Sequence, residues 1–173
     1  MINFCNLCGG ELSSLIPEGD NRARHVCDKC EHIQYQNPKV IVGCIPLWQD
    51  RILLCRRNIE PRFGYWTVPA GFLELDETMA EGAKRETREE SLAEVEISHL
   101  HGLYDTPHIG QVYALYLAQM KSADFGATPE SSEVELFIPE DIPWDDIAFK
   151  VVKVALQQFI QQGRPSDGQP FTL

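Results

Sequence analysis

The chain has little positive charge: fifteen Lys and Arg stand against twenty-six Asp and Glu, a formal net charge of −11. A surface that acidic disfavours nonspecific binding to nucleic acid or to anionic membranes, since both need cationic patches. It leaves room for a phosphate-bearing small molecule, because a bound cation inverts the local field. No run of eighteen apolar residues occurs, so no membrane span is expected. The opening MINFCNLCGG lacks both a basic stretch and a long apolar one, so it does not read as a secretory signal. The expected location is the cytoplasm. There is no internal repeat and no low-complexity segment. What remains is 173 residues of ordinary apolar content, 43%, which suits one main domain with a small satellite and a core that needs no disulfides.

Six cysteines are present, and four of them form two Cys-x-x-Cys pairs: Cys5 with Cys8, and Cys27 with Cys30. The spacing fits a four-thiolate zinc site. Each pair turns two sulfurs toward one tetrahedral ion, and Gly9 and Gly10 let the backbone fold tightly around it. Disulfides conflict with a cytoplasmic location, and a redox dithiol needs only one pair. A closed four-cysteine shell has no open position, so the expected role is structural. A unit this small builds little core, and the metal supplies folding energy. Cys44 and Cys55 read as small buried hydrophobes on strands.

Residues 1–36 form the expected zinc unit, and the Asn37-Pro38 step marks its boundary. KVIVGCIPLW and RILLCRR, with Gln49-Asp50 between them, read as a hairpin of mostly buried strands. Thr78 with Glu81 makes a capping box, so a helix is expected from about Thr78 to Ser91. EVEISHLHGLY, GQVYALYLAQM and EVELFIP read as strands. DDIAFKVVKVALQQFIQQG reads as a final helix with Val151, Val152, Ala155, Leu156, Phe159 and Ile160 inward and Gly163 as its stop. Residues 37–163 are then one mixed α/β domain with helices packed on a sheet, and 164–173 a flexible tail.

The stretch GFLELDETMAEGAKRETREES, Gly71 to Ser91, holds seven acidic residues. At ~100° per residue, Met79, Ala83, Glu86 and Glu90 fall within roughly 40° of one direction. Glu81, Lys84, Arg85 and Arg88 point the other way, and Glu89 lies on the rim. A solvated helix puts its acids opposite its apolar residues, and this one does not. Inward carboxylates are costly unless a cation accompanies them, and hard oxygen ligands suit Mg²⁺ or Mn²⁺. Spacing favours an acidic metal site for phosphate chemistry over a salt-bridged surface helix.

Gly71, five residues, Glu77, seven residues, Arg85-Glu86, two residues and Glu89-Glu90 together resemble the Nudix box. Thr87 stands where the family usually has an aliphatic residue, and Leu92 where it usually has glycine. WTVPAGFLE, DTPHIGQVYALYLA, PESSEVELF and IPWDDIAF look like a group of zinc-ribbon ADP-ribose and FAD pyrophosphatases that includes plant chloroplast members. The likeness spans nearly all of residues 1–160. The related NADH pyrophosphatases carry Ser-Gln-Pro-Trp-Pro-Phe-Pro after the box, which this chain lacks.

The resemblance implies a Nudix α/β/α sandwich with a mixed sheet, preceded by a zinc ribbon. It implies Mg²⁺-dependent (or Mn²⁺-dependent) hydrolysis of the pyrophosphate of ADP-ribose or FAD, releasing AMP. NADH or a NAD cap on RNA is the alternative substrate, and a non-catalytic ligand sensor or a zinc-ribbon interaction module the alternative class. Carried over by position, Glu86, Glu89 and Glu90 hold the cation, with the Gly71 carbonyl. Glu77 pairs with Arg85, and Glu74 is a weaker supporting candidate. Glu133 assists the metals or the attacking water, with Glu130 in reserve. Arg57, Arg62, His108 and Gln111 are the candidates for substrate contact. Trp66 and Tyr35 are more readily core or hinge residues than stacking platforms. The partner expected is a nucleotide, and the expected assembly a homodimer.

Overall fold

The computed structural model describes residues 2–162 and 171–172. The expected stop at Gly163 and most of the expected tail lie outside the described residues. The chain divides into two compact units, Met1–Asn37 and Pro38–Leu173.

The first unit is a small antiparallel sheet of β1 (Leu12–Leu15), β2 (Arg24–Cys27) and β3 (Ile33–Gln34), in that spatial order. Its large side chains are mostly exposed, Phe4, Leu7, Ile16 and Tyr35 among them, and only Cys5 and Cys27 belong to a buried set. A core that meagre does not hold a fold, so the cysteines must.

The second unit begins with the hairpin β4 (Lys39–Trp48) and β5 (Arg51–Arg57), with Leu47 opposite Ile52 and Trp48 opposite Arg51. Then come β6 (Trp66–Thr67), β7 (Ala70–Phe72), α1 (Met79–Ser91), β8 (Val95–Thr106), β9 (Gln111–Met120), β10 (Ser131–Phe137), α2 (Lys150–Gln162) and β11 (Phe171–Thr172). The main strand order is β10-β5-β4-β9-β8-β11, with β6 beside β5 and β7 beside β4. β4 and β9 are parallel from Lys39–Gln111 to Leu47–Gln119, β11 is parallel to β8, and the other pairs are antiparallel.

Alternation along the strands divides the core into two layers, as period-2 geometry requires. Ile41, Ile45, Ile52 and Leu54 face one side and pack with Val151, Val152, Ala155 and Leu156 of α2. Val42, Cys44, Leu53 and Cys55 face the other side and pack with Ala83 of α1. The sheet is thus sandwiched between helices, and both lone cysteines are buried in it. α2 starts later than expected: Trp144–Asp146 forms a separate 3₁₀ turn. Ile160, expected inward, is exposed at the end of the helix.

One edge of β4 is shared. β5 pairs with it near Trp48, and β7 pairs with it at Ile41–Gly43. Ala70 and Pro69 lie so close to Gly43 that a methyl there would overlap them. The sheet opens where β5 and β7 part, and the carboxylate helix follows directly from β7.

Candidate catalytic site and metal centre

α1 starts as its sequence dictates. Thr78 Oγ1 accepts the Glu81 N–H at 3.2 Å, and the Glu81 carboxylate accepts the Thr78 N–H at 2.8 Å. It ends at Leu92, whose φ of 61° lies in the left-handed region and whose N–H donates to Arg88 O. This explains the family's usual glycine there: an L-residue in that conformation costs roughly 1–2 kcal/mol. Thr87, the other departure, is fully buried. Its hydroxyl donates to Ala83 O at 2.7 Å, so the polar atom is satisfied inside the helix.

The buried face holds Gly82, Ala83, Thr87, Glu90 and Ser91. Glu90 and Ala83 fall where the projection puts them. Met79 does not: it is 39% exposed, because the buried stripe turns toward Thr87 and Ser91. Arg85, expected to face outward, is half-buried, because the loop before the helix folds back onto it. Its Nε and Nη2 grip both oxygens of Glu77 at 3.0 and 2.7 Å, and Nη2 also reaches Phe72 O at 3.1 Å. Its Nη1 donates to Glu86 at 2.7 Å and to Glu89 at 3.0 Å. One guanidinium therefore links three carboxylates and the β7 backbone.

Two glycines make room for this packing. A methyl on Gly71 would overlap the Glu86 carboxylate, and one on Gly82 would press on Glu77 and Val42. Glu90 is 6% exposed and accepts the Ala70 N–H at 3.0 Å. Burial pushes its carboxyl up to about 8, with the Glu86 and Glu130 charges adding to the rise against that hydrogen bond. Burial also raises Glu86, against the pull of Arg85. Glu77 goes the other way: Arg85 holds it down at about 2.

These side chains form one wall of a cavity of about 520 Å³. Gly71, Glu74, Arg85, Glu86, Glu89, Glu90 and Glu130 lie on it, as do Arg57 and Gln111. Arg57 is 9% exposed; its Nε donates to Pro61 O at 2.8 Å, and its guanidinium lies over the Phe149 ring, 5.2 Å from the centroid. Arg62, His108 and Glu133 are not among the lining residues. Arg62 lies over Tyr65, and His108 is exposed on the 3₁₀ turn Pro107–Ile109. Glu133 is on β10 with its carboxylate turned to Arg56 at 2.7 Å, so the reserve, Glu130, holds the position facing α1. Trp66 packs edge-on to Phe137 in the core, and Tyr35 lies under Arg24 in the first unit. The apolar wall (Ile59, Phe72, Ile109, Tyr113 and Phe149) was not anticipated from sequence. It is assembled from β7, β9, the 3₁₀ turn before β9, the loop after β5 and the segment before α2, and no local signal announces that convergence.

The donor set suits a hard divalent cation. Burial pushes up the carboxyls of Glu90 and half-buried Glu86, which favours a cation beside them, and a close glycine presents backbone there. Glu86, Glu90 and Glu89 would hold it, Glu86 and Glu89 exchanging their contact with Arg85.

The first unit presents the soft counterpart. The four sulfurs of Cys5, Cys8, Cys27 and Cys30 all lie within 4.8 Å of one another, the only such metal-ligating group among the described residues. Sulfur separations of 3.9, 3.5 and 3.3 Å compare with about 3.8 Å for a tetrahedron of Zn–S bonds. The two turns are copies. Cys5 N–H bonds Gly10 O and Gly9 N–H bonds Cys5 O; Cys27 N–H bonds His32 O and Glu31 N–H bonds Cys27 O. The left-handed position is Gly9 in one turn and Glu31 in the other. A methyl on Gly10 would crowd Lys29 Cβ at 2.9 Å and Cys27 Sγ at 3.0 Å. The Cys30 N–H, with that of Lys29, holds the Cys27 thiol down at about 7, favouring the thiolate a metal needs.

Residues 3–36 match the family model described as Nudix N-terminal, a zinc ribbon, and residues 37–156 match the NUDIX domain. A crystal structure of a NUDIX hydrolase from Nitrosomonas europaea is 48% identical, covers 99% of both chains and superposes with a TM-score of 0.94. An ADP-ribose pyrophosphatase of Methanocaldococcus jannaschii is 26% identical over 83% of this chain and 89% of its own. A NAD-capped RNA hydrolase NudC of Edwardsiella ictaluri is 29% identical over 81% of this chain, which spans about half of that protein, 53%. The chain belongs to the Nudix family, in the form that carries an N-terminal zinc ribbon, and its second unit is a Nudix hydrolase domain.

Proposed function

We propose that the protein is a Mg²⁺-dependent pyrophosphohydrolase that cleaves ADP-ribose or FAD to AMP and a second phosphorylated product. The observation that carries this reading is the two-sided cavity: acidic side chains around the buried Glu90 on one wall, and a buried arginine among apolar and aromatic side chains on the other. The likeness to an ADP-ribose pyrophosphatase over most of both chains supports it. Likeness to NAD-capped RNA hydrolases supports the second reading, NADH or a NAD cap, although the match spans only 53% of those chains.

A divalent cation bound at such a site neutralises phosphate oxygens and acidifies a water. The chain supplies the rest. Glu86, Glu89 and Glu90 provide the negative wall, and Arg85 keeps Glu77 and the loop before α1 in place. Glu130, facing them, is the proposed proton acceptor. Arg57 has Nη1 and Nη2 beyond its bond to Pro61, and these suit a phosphate oxygen pair. Gln111 and the apolar wall suit the nucleoside end. The deciding experiment is AMP release from ADP-ribose, FAD, NADH and NAD in Mg²⁺. Turnover of ADP-ribose or FAD with loss of most activity in Glu90→Gln is the expected result. No release from any of the four would end the reading in favour of another nucleotide substrate or of a sensor. The four free cysteines of the ribbon suit a reducing compartment, so the cytoplasm is the proposed location. The proposed homodimer is tested by light scattering. No helix among the described residues is long and apolar enough to cross a membrane.

A further inference from the structure

We propose that Asn58 and Thr128 are positioning residues for Glu130, fixing its carboxylate opposite Glu86 and Glu90. This rests on reading that acidic wall as the cation site. Glu130 is exposed on the turn before β10, where an acid ordinarily wanders with its loop. Here the turn is tied from three directions.

Within the turn, Thr128 N–H donates to Ser131 O at 2.9 Å, and Ser131 N–H returns to Thr128 O at 3.2 Å. Thr128 Oγ1 accepts the N–H groups of Glu130 at 3.2 Å and Ser131 at 3.1 Å. From below, the same hydroxyl donates to Glu90 O at 3.5 Å, which uses its full capacity of one donor and two lone pairs. From the side, Asn58 N–H donates to Glu130 O at 2.8 Å and Asn58 Nδ2 to Pro129 O at 3.0 Å. Pro129 has no N–H, so its carbonyl is its one polar handle, and Asn58 holds it.

Asn58 is exposed, and an exposed hydrogen bond contributes little to stability. Its position explains more than its energy does. It opens the loop whose Ile59, Glu60 and Pro61 line the cavity, so a single residue joins the wall beside Arg57 to the turn that carries Glu130. Thr128 joins that turn to the helix residue whose carboxylate is most deeply buried in the site. The carboxylate of Glu130 lines the same cavity as those of Glu86 and Glu90. What the two residues set is how firmly that carboxylate stays there.

The test is Mn²⁺ binding to the full-length, zinc-loaded protein, followed by the electron paramagnetic resonance signal of free Mn²⁺, with ADP-ribose turnover measured beside it. Glu130→Gln is expected to weaken Mn²⁺ about tenfold, in the range for groups that support metal ligands. Asn58→Ala and Thr128→Val are each expected to weaken it severalfold, to lower kcat more than they raise KM, and to add nothing further in the Glu130→Gln background. Losses that add in full in that background would overturn the proposal, as would a lowered Tm with unchanged Mn²⁺ affinity or a Glu130→Gln protein that binds Mn²⁺ normally. If Glu86→Gln and Glu90→Gln also bind Mn²⁺ normally, the cation site itself is wrong. Normal loss in those two with additive losses at Asn58 and Thr128 leaves the site standing and removes only the positioning role.

Discussion

The two units arrange their candidate metal ligands in opposite ways. In the ribbon, four sulfurs converge within 4.8 Å, held by two hydrogen-bonded turns of the same design. In the hydrolase unit the carboxylates do not converge that tightly, and Arg85 is tied to three of them. Thiolates that serve a structural ion lose nothing by closing around it. Carboxylates that share an ion with a substrate must leave positions open, and Arg85 offsets part of their repulsion meanwhile. The ribbon has almost no buried core apart from Cys5 and Cys27 and would depend on an ion for its fold. The hydrolase unit has two core layers of its own and would use its ion for chemistry.

The largest effect should come from breaking the sulfur shell. Cys27→Ala is expected to abolish zinc binding and unfold the ribbon, since structural zinc contributes on the order of 10 kcal/mol or more in such small units. Zinc content by mass spectrometry and proteolysis confined to the first unit check this. Glu90→Gln is the matching change in the other unit. It should lower turnover by about a hundredfold or more while replacing a carboxyl whose charged form burial disfavours, so thermal stability without added Mg²⁺ should hold or rise.

The same carboxyl gives a pH signature. Glu90 is raised from 4.5 to about 8 in the folded chain, so the folded state keeps a proton that the unfolded state releases. Without added divalent cation, stability should therefore fall as pH climbs from about 4.5 to about 8, by on the order of 4 kcal/mol, and Glu90→Gln should flatten that slope. Urea unfolding across this range reads it directly. Glu77 behaves oppositely: its ion pair with Arg85 stabilises above its ordinary value of 4.5 and is lost only as pH falls toward about 2. The smallest effects belong to two of the five described left-handed residues that are not glycine, the ones that close α1 and the second zinc turn. Leu92→Gly and Glu31→Gly should each stabilise by up to about 1 kcal/mol, the relief of strain being partly offset by backbone entropy. A loss of stability at position 31 would mean that the two zinc turns are less alike than their hydrogen bonds indicate.

The legible parts of the molecule are those written locally. The capping box, the Gln49-Asp50 turn, the cysteine spacing and the inward direction of Glu90 each follow from a few neighbouring residues. Arg85 was misplaced because a helical projection knows nothing of the loop that folds back to present Glu77. That Glu133 does not line the cavity while Glu130 does goes with Arg56, which holds Glu133 across a strand pair distant in sequence. The apolar wall of the cavity was not legible at all. Phe72, Ile109 and Phe149 are unremarkable in their own segments, and only the parting of β5 from β7 gives them a common space.

The tight seat of the Glu86 carboxylate against Gly71 has a consequence for drift among related chains. Position 71 cannot gain a methyl while position 86 keeps its glutamate in place, although the reverse order is open. A relative that has shed the acid is free to acquire alanine at 71, and one that has alanine there must have let the acid move. Residue 71, which has no side chain of its own, thus sets where the side chain at position 86 can sit.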